Sequence, residues 1–381
     1  MNAPKMLRLA LAAAMAGLFL AHAPEAVAQD PPQDLDVPTG IMEITLPPDG
    51  VLRYANVIIR TGADVRFVRN LANTPVYILA TGTITTEADS VIRVDGTSAN
   101  GMTPGSGGPG GFGGGNAGAH PAGEGHGPGG GQGGCLYYAC EPLDKAGHGA
   151  FGCDDDTSQA SGLPYGNPVL LSLIGGSGGG GTDSGQAGSG GGGAILLSSA
   201  VRITHLGLIT ATGACYGYSG CGSGGAIRLL APIVSGTGGL HAYGGYYNHG
   251  RIRVDALDRS GVAFGYNPPC AATVGSIMVE MVTNGTLRIT EVGGQAISPD
   301  AAGQVFVSFD AADPKTVSVR VNGFGGIVPI EIALTPDLGV AVKQVVNADM
   351  DTANIDGNVT VTATFPNFPA NQGTRVDAWT R

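Results

Sequence analysis

Basic residues are scarce in this chain: 19 Lys and Arg stand against 30 Asp and Glu, a formal net charge of −11. That balance disfavours nucleic acid and anionic lipid as partners. Charged residues make up only 13% and aromatic residues 6%, with a single tryptophan, so the usual globular composition is displaced by something loop-rich with a modest core. After residue 28 no stretch is apolar for long enough to cross a bilayer as a helix, and membrane insertion is not expected. No Cys-x-x-Cys or His-x-x-x-His spacing occurs, which leaves no zinc motif. No Gly-Lys-Ser/Thr occurs either, which leaves no phosphate cradle. The sequence asks for no cofactor and no metal.

What is present begins with an export signal. Residues 1–28 carry Lys5 and Arg8, an apolar run from Leu9 to Leu20 and the small-residue exit Ala26-Val27-Ala28, which predicts cleavage near Gln29. The protein is therefore expected outside the cytoplasm, in the periplasm, at the cell surface or in the extracellular space. All six cysteines follow this segment, and an oxidising compartment favours disulfides. Six cysteines allow 15 pairings, and spacing alone does not choose among them. Short separations favour Cys135 with Cys140 and Cys215 with Cys221, leaving Cys153 and Cys270 to each other.

Glycine is abundant, at 67 residues, and part of it recurs in step. Gly-Gly-Ala-Ile-Leu-Leu begins at Gly192, Gly-Gly-Ala-Ile-Arg-Leu at Gly224 and Gly-Arg-Ile-Arg-Val at Gly250. A second short strand follows each unit or a related one, as Ile92 to Gly96, Ile209 to Gly213 and Leu240 to Gly244. Strand pairs repeating in step predict a solenoid whose coils stack like residues on like. The alignment places Ile78, Ile195, Ile227 and Ile252 in one inward column and Ala80, Leu197, Leu229 and Val254 in the next. Leu79, Leu196, Arg228 and Arg253 should then point outward. Residues 29–50 read as a linker and 51–273 as the solenoid. Within it, 97–191 reads as a glycine-rich loop without a core of its own outside Val169 to Ile174, stapled by its cysteines. Leu52 to Val68 reads as a first, less regular coil. From 274 to 381 the texture changes to alternating strands, among them Ser276 to Val282 and Gln304 to Phe309, separated by turn residues, the pattern of an antiparallel, immunoglobulin-like β-sandwich. Trp379 is expected in its core.

From Leu52 through Ala256 the order of pieces resembles the glycine-rich, right-handed parallel β-helix proteins that many Gram-negative bacteria export, with coils like those of pectin-lyase-like and autotransporter-passenger folds. The carrying residues are Ile78 to Gly82, Ile92 to Gly96, Gly192 to Leu197, Gly224 to Leu229 and Gly250 to Val254. The resemblance implies an all-β parallel β-helix and little about activity. The long insertion departs from the shorter glycine spacers expected of such proteins.

Several candidate sites have simpler readings. Gly175-Gly176-Ser177-Gly178-Gly179 spells a nucleophile elbow but leads into more glycine rather than a helix. Gly178 to Asp183 starts a calcium nonapeptide, yet no tandem copy follows. Asp154, Asp155 and Asp156 offer hard oxygen ligands to calcium, although acidic loops are usually solvated. A β-helix polysaccharide lyase or glycoside hydrolase is the enzymatic alternative. It needs an acidic pair, and Asp95, Asp255 and Asp258, taken as exposed, do not stack as one. Arg228 and Arg253 read as solvent-facing arginines answered by Asp255 and Asp258. His241 falls in an outward column with Arg93 and Thr210, His205 lies on a corner, and His120, His126 and His148 are scattered through loop; all five read as surface residues. Tyrosine is less evenly spread: Tyr137 and Tyr138 lie between one cysteine pair, Tyr216 and Tyr218 between another, and Tyr243, Tyr246 and Tyr247 follow one coil later. Rigid aromatics amid Gly, Ser and Asn resemble recognition loops, so these seven are the candidate ligand-binding residues. The expected function is adhesion: contact with a glycan or extracellular matrix through loops pinned by disulfides.

Overall fold

The computed structural model describes residues 32–118, 122–134, 164–216, 220–245, 248–279, 285–298, 314–366 and 372–380. Three parallel sheets of six strands each form the solenoid, and successive strands in the chain visit the sheets in rotation. The first coil is β1 (Leu35–Val37), β2 (Gly40–Thr45) and β3 (Val51–Tyr54). The second is β4 (Val57–Ile59), β5 (Ala63–Val68) and β6 (Val76–Ala80), and the third is β7 (Thr83–Thr86), β8 (Val91–Arg93) and β9 (Ala194–Ser199). The fourth comprises β10 (Arg202–His205), β11 (Leu208–Thr210) and β12 (Ala226–Leu230). The fifth and sixth are β13 (Ile233–Gly236), β14 (Gly239–His241) and β15 (Arg251–Asp255), then β16 (Asp258–Val262), β17 (Gly265–Asn267) and β18 (Ala272–Gly275).

The structure corrects several expectations. The segment read as a linker is the first coil from Leu35 onward, because Leu35, Val37 and Ile44 have the inward apolar alternation that buries them against the next coil. Leu52 to Val68 therefore spans the end of the first coil and most of the second. The columns are also displaced at one step. Ile195, Ile227 and Ile252 lie over one another, but Ile195 stands on Val76, and Ile78 lies against Leu197. A shift of two residues keeps every side chain on its own face, so an apolar alternation cannot distinguish the two registers. Each coil also has three strands rather than two. The sheet containing β7 and β10 escapes notice because its inward positions include Thr86 and His205 beside Ile84 and Ile203.

The inward columns form one continuous core from Leu35 to Phe264. Each fully buried aliphatic side chain in it contributes about 1.5–3 kcal/mol, so several coils must stack before the chain entropy is offset.

The described part of the glycine-rich insertion is not an irregular loop. Gly188 and Gly191 donate backbone hydrogen bonds to Gly115 and Phe112, Ser189 and Gly192 donate to Gly220 and Ser223, and Gly190 and Gly193 donate to Thr97 and Val94. Every third residue faces the same neighbouring segment. That is the habit of an extended helix with three residues per turn and no internal hydrogen bonds. Several such segments pack side by side, and carbonyls of one fill the space where side chains of another would stand. A Cβ on Gly190 would collide with the Ser106 carbonyl, and one on Gly225 with the Gly193 carbonyl. Glycine is required here for close approach, and the core of this bundle is backbone satisfied by backbone. The return stretch then crosses the outer face of the third sheet, where Leu170 packs on Ala194 and Ala226 and Leu173 joins Tyr77, Leu196 and Leu230.

An antiparallel sandwich follows. One sheet runs in the order β20 (Gln295–Ala296), β19 (Thr286–Val292), β21 (Lys315–Asn322), β24 (Asn358–Phe365); the other is β23 (Val342–Asp349), β22 (Ile327–Pro336), β25 (Thr374–Thr380). Val317, Val319 and Val321 face Ile330, Ile332 and Leu334 across a separate core. Residues 276–279, expected to begin a strand, have no strand structure, and the strand expected at Gln304 to Phe309 lies outside the described residues. Trp379 is buried, but it packs beyond its own domain: its ring meets Phe112 of the glycine bundle edge-on, 5.7 Å between centroids.

Candidate functional site

All the glycine-rich loops leave the solenoid at one corner, between the second and third strands of a coil: after β8, after β11 and after β14. Tyr216 and Tyr243 stand on two of these loops, each 42% exposed. Their backbones are held by the coil beneath. Cys215 and Cys221 form a disulfide, and Gly245 of the next loop packs so closely on it that a Cβ there would overlap Cys215 Sγ. Ser98 Oγ donates to the Cys215 carbonyl at 3.0 Å, and the Gly213 amide donates to the Tyr243 carbonyl at 3.0 Å. Of the other predicted residues, Tyr137, Tyr138, Tyr218, Tyr246, Tyr247, Cys135, Cys140 and Cys153 lie outside the described residues, as do Asp154, Asp155 and Asp156 and the side chain of Cys270.

The outer face of the second sheet leads up to this corner. Register places Glu43, Arg66, Arg93, Thr210, His241 and Asn267 in one outward column, one residue per coil. At about 4.8 Å per strand the column is about 24 Å long. Its arginines are already answered: Arg66 pairs with Asp64 at 2.7 Å, and Arg93 reaches Asp64 at 3.0 Å and Asp95 at 3.7 Å. The hydrogen bond from Arg66, with help from the Arg93 charge, holds the Asp64 carboxyl below the usual carboxylate range. Partial burial lowers the pKa of His241, against the opposing pull of Asp95. Asp95 also binds the next coil, accepting from the Thr212 amide at 2.7 Å and from the Thr210 hydroxyl at 2.8 Å. The face therefore presents guanidinium, imidazole and amide groups with little unpaired charge, beside exposed tyrosine, while Thr210 is buried with its hydroxyl bonded to Asp95. Sequence reasoning put Arg93, Thr210 and His241 in one outward column; Glu43, Arg66 and Asn267 complete it. Alternation in the flanking coils carries that signal once the first coil is recognised.

Several residues read as surface groups are interior. Asp255 is fully buried, with Arg228 Nε donating to Oδ2 at 3.1 Å and Arg253 donating to Oδ1 at 2.9 Å. The cover is residues 275–277, where the Ile277 carbonyl accepts from Arg228 and its amide donates to Asp255. This cluster cannot reach a substrate, and Asp258 takes no part, binding Ser260 instead. His205 is buried, its Nδ1 2.6 Å from Thr86 Oγ1 and Nε2 3.0 Å from the Gly239 carbonyl, and burial pulls its pKa down to about 4. Ser177 of the elbow-like stretch is also buried, donating to Tyr165 and accepting from the Gly129 amide, so its hydroxyl serves the bundle. Among the described residues no three His, Cys, Asp or Glu side chains group as metal ligands, and no helix is long and apolar enough to cross a membrane.

No protein-family model matches the chain, and no curated protein matches it. Among solved structures it is similar to a bacterial cell-surface-expressed multi-modular chitinase from Paenibacillus sp. str. FPU-7, at 9% identity over 91% of this chain and 24% of that one, with a TM-score of 0.12. The chain thus spans about a quarter of that enzyme's length, and a likeness of this degree carries no argument about fold or activity.

Proposed function

We propose that this is an exported, adhesion-type surface protein that contacts a glycan or a glycan-bearing matrix through the loops at one corner of its solenoid. The observation that carries the reading is the placement of exposed Tyr216 and Tyr243 on loops held by the Cys215–Cys221 disulfide and the coil beneath, beside a polar outward column. Tyrosine rings offer flat apolar area at small conformational cost, and the column offers donors and acceptors suited to sugar hydroxyls. The signal-like first 28 residues and the acidic balance suit an extracellular setting. Tyr218, Tyr246 and Tyr247 belong to the same proposed surface by sequence position.

A glycan array read with the intact protein tests this. Replacing Tyr216, Tyr218, Tyr243, Tyr246 and Tyr247 with Ala should weaken binding roughly tenfold or more, with circular dichroism unchanged. Absence of binding by the parent protein, or equal binding by the variant, would remove the proposal.

A further inference from the structure

We propose that the segment around His126 is an acid-sensitive latch, holding the sandwich against the glycine bundle at neutral pH and releasing it as the pH falls. The contact between the two parts includes an ion pair, several hydrogen bonds and an aromatic pair. Glu124 pairs with Lys343 at 3.3 Å and accepts from the Ala341 amide at 2.6 Å. The Gly339 amide donates to the Ala122 carbonyl at 3.2 Å, the Glu124 amide donates to the Gly339 carbonyl at 3.3 Å, and Asn116 Nδ2 donates to Asp337 at 3.3 Å. The ring pair Phe112 and Trp379 closes the other side.

His126 sits among these groups, its backbone bonded on both sides within the bundle to Gly113 and Gly178. Its Nδ1 is shut off from solvent without a hydrogen-bond partner, and so are Asp377 Oδ2 and Trp379 Nε1 on β25. Buried polar atoms left unpaired each weaken the closed arrangement. The charged groups around His126 are Arg375 and Asp377 on β25, Lys343 on β23, whose Nζ reaches the Pro128 carbonyl at 3.4 Å, and Glu124 on its own segment. Arg69, from the corner after β5, lies within electrostatic reach of Arg375. A proton on His126 would place a charge in a site where burial and Arg375 resist it, with Asp377 opposing them in part.

The sign follows from linkage. Burial, with Arg375 adding to it, brings His126 down to about 4 in the closed form, whereas a released imidazole titrates near its ordinary 6.5. The closed form then binds fewer protons than the open one between these values, and the open-to-closed ratio rises about a hundredfold from pH 7 to pH 4. Glu124 works the other way: burial raises its pKa against the pull of Lys343, so the closed form takes up that proton more readily and opposes release.

Trp379 is the only tryptophan, so its emission reports this contact directly. Fluorescence and small-angle X-ray scattering of the full protein between pH 7.5 and 4 make the test. The expected result is a reversible red shift of Trp379 and a larger radius of gyration between about pH 6.5 and 4, with far-UV circular dichroism retained. His126→Gln should move that transition down by about one pH unit or more, whereas His205→Gln, which alters a buried histidine in the solenoid, should leave its midpoint in place. Unchanged emission and radius down to pH 4, loss of circular dichroism in step with the emission, or an identical transition in His126→Gln would overturn the proposal. If His126→Gln does not fold, the scattering of the unmodified protein decides, because a constant radius is incompatible with release.

Discussion

Arg228 points away from the solenoid core and is nevertheless buried, its Nε donating to Asp255 Oδ2 at 3.1 Å in a site with no exposed carboxylate. Arg253 completes the cluster from the next coil position, so one carboxylate answers two guanidiniums under the cover of residues 275–277. Removing a single partner strands charge in the interior. Asp255→Ala should destabilise the protein by about 3–5 kcal/mol, measured by denaturant unfolding. A loss below about 1 kcal/mol, the range of surface ion pairs, would show that solvent reaches the arginines.

His205 predicts a pH dependence of the solenoid itself. Its folded pKa of about 4 lies below the ordinary 6.5, so the unfolded chain binds the proton first. Stability is full above about pH 6.5 and is lost as the pH falls toward 4, by about 3 kcal/mol in all for a shift of this size. His205→Gln, which can keep a hydrogen bond to Thr86, should flatten that part of the stability profile. An unaltered slope between pH 6.5 and 4 in the variant would assign the dependence to other groups.

Glycines in the bundle and glycines in exposed strands should respond in opposite ways to a methyl group. Gly190→Ala places a Cβ on the Ser106 carbonyl, where neither backbone can yield without losing hydrogen bonds, and should cost about 2 kcal/mol or more. Gly265→Ala, at an open position on β17, should be neutral or slightly stabilising because it restricts the unfolded chain. Thermal melts of the two variants check the contrast, and equal melting temperatures would refute the close-packed bundle.

The Cys215–Cys221 bridge closes a short loop and should contribute about 2 kcal/mol through the unfolded state. Reduction should therefore lower the melting temperature by several degrees and, under the proposed function, weaken glycan contact by loosening Tyr216. Loss of stability without any change in binding would separate the bridge from recognition.

Much of the fold was legible because a solenoid repeats its instructions. The columns Ile92, Ile209, Leu240 and Ile195, Ile227, Ile252 stack as their alternation requires. The sandwich strands from Thr286, Ile327 and Asn358 begin where turn residues end. Less of the candidate site could be read. Tyr216 and Tyr243 were identified by composition, but the outer column that leads to them was only half seen, because Arg66 and Asn267 belong to coils without the glycine phrase.

The linear order of residues by itself determined which side chains alternate inward, where glycine replaces them, and hence that the chain coils and then changes to a sandwich. It left the step of two residues between Ile78 and Ile195 undecided, since either register buries the same kinds of side chain. It also left open that the glycine segments pack on one another, because a backbone hydrogen bond names no residue type. Only the tertiary structure decided those matters, together with the burial of Asp255, His205 and Trp379, which depends on segments far away in sequence arriving to cover them. Local pattern sets the direction in which a side chain points; what lies in that direction is a property of the whole fold.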